Sequence, residues 1–316
     1  MPNVSVVIFV AGPAPYLSGC LDSVVNQTLP DVEIVLVCGA LSEQASGICT
    51  DFKNRYNDIK IVHTDVSKLS DAYDMGVSAS TGRYIMFVKS EDFIAPNACE
   101  IMFNNAIKND SDVVRCGLAQ FSAKYNKFYS LAWEDAILSE ISSTNSVVVL
   151  KDSKVLLTCH GSVWATLFRA DFIRSIRFTE DCGTLYQEFA VIIKALICAS
   201  RISVMTDVLY FSNIDDSENP IIKKDEDLLR ITEPFEAAKQ WMLARNCFDD
   251  YIPEFYKQVM IVTMGFYEFM SDDLKPAFYK RLQQFYSDVN MFVFPRVTQM
   301  FSTPQVRFLI DILKDN

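Results

Sequence analysis

The stretch GRYIMFVKSEDFI, residues 82–94, decides the fold. Residues 84–88 are a continuous apolar run of strand length, which reads as a strand buried on both faces. The run opens directly into Lys89, Ser90, Glu91 and Asp92. In open α/β sheets, ligands bind just beyond the carboxyl ends of the strands. Two acids at such an end point to a metal or diphosphate site, and a lysine at the head of the same turn points to an altered one.

Outward from this strand, apolar β-branched runs alternate with amphipathic ones. Strands are expected at residues 4–10, 32–37, 59–63 and 112–118, and helices at 15–27, 43–56, 69–80 and 97–108. Strands alternating with helices imply βαβ units and a parallel sheet with right-handed crossovers. Residues 119–150 mix short strand-like runs with polar turns. A strand at 163–168, helices at 170–175 and 186–200, and short strands at 202–205 and 209–211 follow. Residues 213–227 are polar and contain Pro220, the composition of a linker. Beyond them the texture is helical and aromatic, with helices expected at 228–246, 249–271, 272–287 and 304–314. The expected organisation is an α/β domain over residues 1–225 and an α-helical region over 226–316.

Composition narrows the function. The chain has 316 residues, half of them hydrophobic, and a net charge of −11. That balance disfavours a nucleic-acid binder, although a local site on an acidic protein can still be positive. Nine cysteines without a CxxC pair and only two histidines disfavour zinc. Dispersed thiols fit a reducing compartment. The N-terminus enters the strand VSVVIFV without a secretory pattern, and no apolar stretch is of membrane-spanning length. The expected location is cytoplasmic, peripheral to the inner face of the membrane if the aromatic C-terminal helices find an acceptor there. Those helices are also candidates for contact with a partner transferase or a second copy.

Six stretches carry a family likeness: VSVVIFV (4–10), YLSGCLDSVVNQTLPDVEIVLV (16–37), LSDAYDMGVSASTGRYIMFVKSEDFI (69–94), VWATLFRADFIRSIRFTED (163–181), LYQEFAVIIKAL (185–196) and DVLYFSN (207–213). In this order they resemble the family 2 glycosyltransferases of the GT-A fold that extend bacterial surface polysaccharides. The resemblance implies a mixed sheet flanked by helices. It also implies transfer of a sugar from a nucleotide-diphosphate donor to a saccharide acceptor, aided by Mg2+ or Mn2+.

At the positions that carry chemistry the chain departs from the family pattern. The family's Pro-Val-Tyr-Asn after the first strand is here Phe9, Val10, Ala11 and Gly12. Its two aspartates after the second strand, one reading uracil, are Cys38 and Gly39, followed by Ala40 and Leu41. Its Ala-Arg-Asn is Ala72, Tyr73 and Asp74. Its metal-binding Asp-x-Asp-Asp is Lys89, Ser90, Glu91 and Asp92, and its Glu-Asp pair holding the base is Gln187 and Glu188. The resemblance therefore assigns the nucleotide and diphosphate to Val10, Gly12, Cys38, Gly39, Asp74, Lys89, Glu91 and Asp92. It assigns the general base to Glu188, the acceptor to Trp164 and Gln187, and any metal to Glu91 and Asp92. A divalent cation needs hard oxygen ligands, and an ammonium repels one. Either Lys89 replaces the metal as the group that stabilises the diphosphate, or the donor site has decayed and Lys89 simply pairs with Glu91 or Asp92. In the second case the chain is an inactive relative that scaffolds an active transferase. Glu188 is also the acid expected in the first turn of a helix. Trp164 is equally a core residue by type. His63, at the end of a strand, and His160, in a polar loop, carry no assignment.

Overall fold

The computed structural model describes residues 1–65, 69–122, 124–159, 163–176, 178, 188–215 and 228–314, with residues 69, 70 and 269 described by their backbone alone. The expectations for Gln187, His160 and residues 216–227 lie outside the described residues. The chain divides into two compact units. The first comprises Met1–Ser153, Ser162–Thr179 and Lys194–Glu218; the second comprises Lys154–Gly161, Glu180–Ile193 and Asn219–Asn316.

In the first unit, four parallel strands form the half of the sheet foreseen from the alternating pattern: β1 (Val4–Gly12), β2 (Val32–Leu41), β3 (Ile59–His63) and β4 (Tyr84–Lys89). Helices α1 (Leu17–Val25), α2 (Glu43–Arg55) and α3 (Leu69–Ala79) supply the crossovers. The sheet continues through β5 (Phe93–Ile94), β6 (Val113–Ser122), β7 (Lys127–Ser130), β8 (Val147–Val148), β9 (Thr166–Arg169) and β10 (Ile202–Asn213) in the order β3-β2-β1-β4-β9-β6-β10-β5. Because β9 runs antiparallel to both β4 and β6, and β5 antiparallel to β10, the sheet is mixed. Helices α4 (Ala98–Asn109), α5 (Ala132–Thr144) and α6 (Ala170–Ile176) complete the alternation; of α7 (Glu188–Cys198), only residues 194–198 belong to this unit.

The residues explain this layout. Val6, Ile8, Ile85 and Phe87 are fully buried on a strand pair packed on both faces, the condition under which strands read as unbroken apolar runs. Helix α3 lies close enough to β1 that a Cβ on Gly76 would come within 2.3 Å of Val7. Glycine is therefore required there. The amino ends of the strands are fastened by one buried carboxylate. Glu33 accepts from the Thr81 amide at 2.7 Å, from the Thr81 hydroxyl at 2.8 Å, and from Ser5 and Lys60. Burial would raise its pKa, but the bonds from Lys60, Ser5 and Thr81 outweigh that and hold it below the usual carboxylate value.

The structure corrects several sequence expectations. Residues 119–150 contain α5, hidden because its buried stripe of Glu134, Leu138 and Ile141 includes an acid. Glu134 is buried because Arg115 on β6 meets it at 2.7 Å. The two short strands at 202–205 and 209–211 are one strand, β10, with register shifts around an exposed 206–208 segment. The strand expected from residue 163 begins at Thr166, because Ala165 is left-handed at φ 54°.

The second unit contains α8 (Glu233–Ala244), α9 (Ile252–Phe269), α10 (Lys275–Phe285), α11 (Phe294–Val297) and α12 (Thr303–Lys314). Pro234, Pro253, Pro276 and Pro295 sit in first turns, where a missing N–H costs nothing. At its centre the ammonium of Lys239 is bonded to Tyr256 at 2.9 Å and Asp288 at 2.6 Å, among the rings of Phe248, Tyr256 and Phe285. Among the described residues no helix is long and apolar enough to cross a membrane.

Removing one partner of a buried ion pair strands the other, at a cost of about 3–5 kcal/mol. Glu134→Ala is accordingly expected to lower the unfolding free energy from urea titration by that amount, while Glu140→Ala on the exposed face of α5 leaves it nearly unchanged.

Candidate active site

The carboxyl ends of β2, β1 and β4 bring together most of the residues assigned to the donor. Val10 is in register with Cys38, and Phe9 with both Val37 and Lys89. After Val10 the register slips, and Gly12, left-handed at φ 66°, aligns with Leu41. Its carbonyl accepts from Ser42 at 3.0 Å, and the Ser42 hydroxyl caps α2 by accepting from Ala45 at 3.1 Å. Cys38 is buried, where Cys49 and burial push its pKa up, and Gly39 beside it is half-buried. The ring of Phe9 reaches over that glycine: a Cβ there would lie 3.6 Å from it. His63, aligned with Cys38 across β2 and β3, ends its strand exposed.

Residues 89–92 form a tight turn, closed by the Asp92 amide donating to the Lys89 carbonyl at 3.0 Å. The same carbonyl accepts from the Cys20 thiol at 3.2 Å. The Asp92 side chain has no exposed surface. Its two oxygens accept from the Tyr210 hydroxyl at 2.6 Å and the Asn213 amide at 2.8 Å. The Tyr210 oxygen in turn accepts from the Lys89 amide at 3.2 Å. Burial raises the Asp92 carboxyl to about 6, against the opposing pull of Lys89 and with a further push from Glu91. Burial and the nearby Asp92 also push the Tyr210 hydroxyl well up.

The Lys89 ammonium lies 3.1 Å from Glu91 and 3.9 Å from Asp92, and 4.4 Å from the centre of the Trp164 ring. That is cation–π distance. The indole N–H of Trp164 reaches the Tyr73 hydroxyl at 3.4 Å. Tyr73 itself packs inward, its ring centre 5.2 Å from Phe87 and 4.9 Å from Phe178. Asp74 accepts from the Phe178 amide at 2.9 Å, which fixes α3 to the chain beyond α6. Trp164 thus belongs beside the 89–92 turn, and Tyr73 supports it from below.

These residues do not fit a divalent cation between Glu91 and Asp92. The Lys89 ammonium already sits beside both acids, and the oxygens of Asp92 are bonded into the fold. Among the described residues no cluster of three His, Cys, Asp or Glu side chains has the spacing to hold a metal. The arrangement offers instead a fixed organic cation, one-quarter exposed, at the end of a parallel strand. Glu188 opens α7 as a buried first-turn acid in the second unit, where its neighbour Phe189 stacks on Phe235 at 5.1 Å.

Sequence reasoning missed Tyr210, Asn213 and Cys20, the residues that hold the turn. Tyr210 and Asn213 were inside a stretch read as framework. A buried tyrosine needs a partner for its hydroxyl, and that requirement was the available signal.

The model of Glycosyl transferase family 2 matches residues 5–171. The chain is 27% identical over 229 residues to EpsJ, an uncharacterised glycosyltransferase of Bacillus subtilis (strain 168), covering 70% of this chain and 62% of that one. It is 30% identical over 188 residues to the putative glycosyltransferase EpsH of the same organism, covering 56% and 50%. The chain thus matches less than two thirds of the length of either relative. Among solved structures it resembles S. aureus TarS, with TM-score 0.69 and 17% identity, covering 98% of this chain and 54% of that one. TarS 1–349 in complex with UDP-GlcNAc gives TM-score 0.67 at 18% identity, covering 98% and 88%. A Pyrobaculum calidifontis mannosyltransferase in complex with GDP-Man and Mn2+ gives 0.54 at 11%, covering 98% and 86%.

The raised Asp92 pKa makes a signed prediction. A carboxyl that binds its proton more tightly folded than unfolded adds stability as pH falls through about 6. That contribution is complete below the unfolded value of about 3.9 and absent above neutrality. Asp92→Asn is expected to flatten the melting temperature between these limits relative to the parent chain.

Proposed function

This chain belongs to glycosyl transferase family 2, and on that footing we propose that it transfers a sugar from a nucleotide-diphosphate donor to a saccharide acceptor in surface-polysaccharide or glycoconjugate synthesis. The observation that carries the reading is the Lys89 ammonium, held over Trp164 at the carboxyl end of β4. The donor's base lies along the ends of β1 and β2, bordered by Gly12 and Gly39, while Val10, which the likeness also assigned to it, is fully buried behind them. Its diphosphate meets Lys89.

The acceptor oxygen attacks the anomeric carbon, the bond from that carbon to the diphosphate oxygen breaks, and the electron pair leaves with the diphosphate. Glu188 takes the acceptor's proton, the task of one well-placed carboxylate. Lys89 offsets charge building on the leaving group, where a preorganised cation contributes most. The step therefore runs without a metal. A cytoplasmic setting at the membrane face belongs to the same reading.

UDP or GDP at millimolar concentration is expected to raise the melting temperature, and by the same amount with manganese or with EDTA. A ligand at about a hundred times its Kd stabilises by about 2.7 kcal/mol. Lys89→Met is expected to abolish the shift and Lys108→Ala, on exposed α4, to preserve it. If neither nucleotide moves the transition, the scaffold reading stands in its place.

Glu188→Gln separates the base from the donor site. It should keep the nucleotide shift and slow transfer by about 100-fold or more, measured as nucleotide release with a saccharide acceptor.

A further inference from the structure

The β6–β7 hairpin concentrates exposed apolar side chains of a single chemical type. Tyr125 is 67% exposed, Phe128 53%, and Trp133, three residues beyond β7, 39%. Beside these aromatics Ile214, whose amide donates to the Phe121 carbonyl near the hairpin's turn, is 45% exposed. Exposed aromatics grouped in this way mark an interaction surface.

The surface is built rather than loose. Phe128 is in register with Phe121, their ring centres 4.9 Å apart. Phe128 also meets Phe211 at 5.4 Å, and Phe211 stacks on Phe93 at 4.9 Å. The exposed ring is thus the outermost member of a ladder across β7, β6, β10 and β5. At the hairpin's turn the Asp215 carboxylate accepts from the Ser122 hydroxyl and the Lys124 amide, both at 2.5 Å.

Charge identifies the occupant. Lys124 and Lys127 are exposed, and among the described residues neither makes an ion pair. Their ammoniums lie 5.2 Å from the Tyr125 ring centre and 5.1 Å from that of Tyr129. On a chain of net charge −11, two exposed lysines outside any described ion pair are a local exception; Lys124 lies in the turn and Lys127 on the face of β7 opposite Phe128, so the two lysines flank the aromatic tip. Amphipathic aromatics that seat at headgroup level, with lysines whose stems lie along apolar surface and whose ammoniums reach phosphate, are the chemistry of a membrane interface.

We propose that the β6–β7 hairpin, through Lys124, Tyr125, Lys127, Phe128 and Trp133, docks this protein on an anionic phospholipid surface. Docking needs neither a nucleotide nor catalysis, so its failure and the failure of the transferase reading are distinguishable.

The test is cosedimentation with vesicles of phosphatidylcholine alone and of an equimolar mixture with phosphatidylglycerol, at low and high salt. Binding is expected to the mixed vesicles only and to weaken with salt. Removing the charge of Lys124 or Lys127 as glutamine is expected to weaken it about fivefold for each lysine. Tyr125→Ser with Phe128→Ser should abolish it while far-UV dichroism stays unchanged. Tryptophan emission should shift to the blue on binding, and Trp133→Phe should remove that shift. No binding to mixed vesicles, binding indifferent to the serine substitutions, or a concentration-dependent dimer lost in Phe128→Ser would each overturn the proposal. The dimer would assign the patch to a second copy.

Discussion

A carboxylate shut away from water must find its hydrogen bonds within the fold, and Asp92 finds them across the sheet. Its oxygens take the hydroxyl of Tyr210 and the amide of Asn213, both on β10, although the acid itself follows β4. The contact joins the parallel half of the sheet to its mixed half, at the point where the chain leaves a strand to form the turn carrying Lys89. An unmet buried acceptor costs about 1–3 kcal/mol, and more when charged. The turn is therefore held to one shape by the same bonds that satisfy Asp92. Lys89 inherits its position from that shape, and Trp164 and Tyr73 close it from the other side.

In this member of glycosyl transferase family 2, the strand at the centre of the site ends in a lysine set beside two acids. A metal ion among acids gathers charge from solution and must be bound again whenever it is lost. Lys89 is covalently present, and its position beside Glu91 and Asp92 is part of the folded state. Under the proposed function, its attraction to those two acids would oppose its attraction to a diphosphate, and the cation–π contact with Trp164 would keep it placed while the pairing with Glu91 was exchanged for phosphate.

Much of this was legible in the sequence for physical reasons that can be named. Strands buried on both faces are apolar without interruption, so β1, β2 and β4 declared themselves, and the residues at their ends followed. Helix α5 did not declare itself, because Glu134 stands in its buried stripe and the reason lies on β6 at Arg115. The bulged course of β10 and the left-handed Ala165 depend on pairing partners far along the chain. The role of Asp92 was hidden in the same way. An acid in the turn after a strand reads as a ligand until Tyr210 is seen to occupy it.

Glu33 and its donors lie at the opposite ends of these strands. Ser5, Lys60 and Thr81 converge there on one carboxylate, well away from Lys89 along the same β1–β4 pair. The parallel strands are clamped at their amino ends by bonds in which Gly12, Gly39 and Lys89 take no part. Substitution at those three positions leaves the Glu33 cluster untouched, whereas a change at Asp92 also loosens the tie to β10.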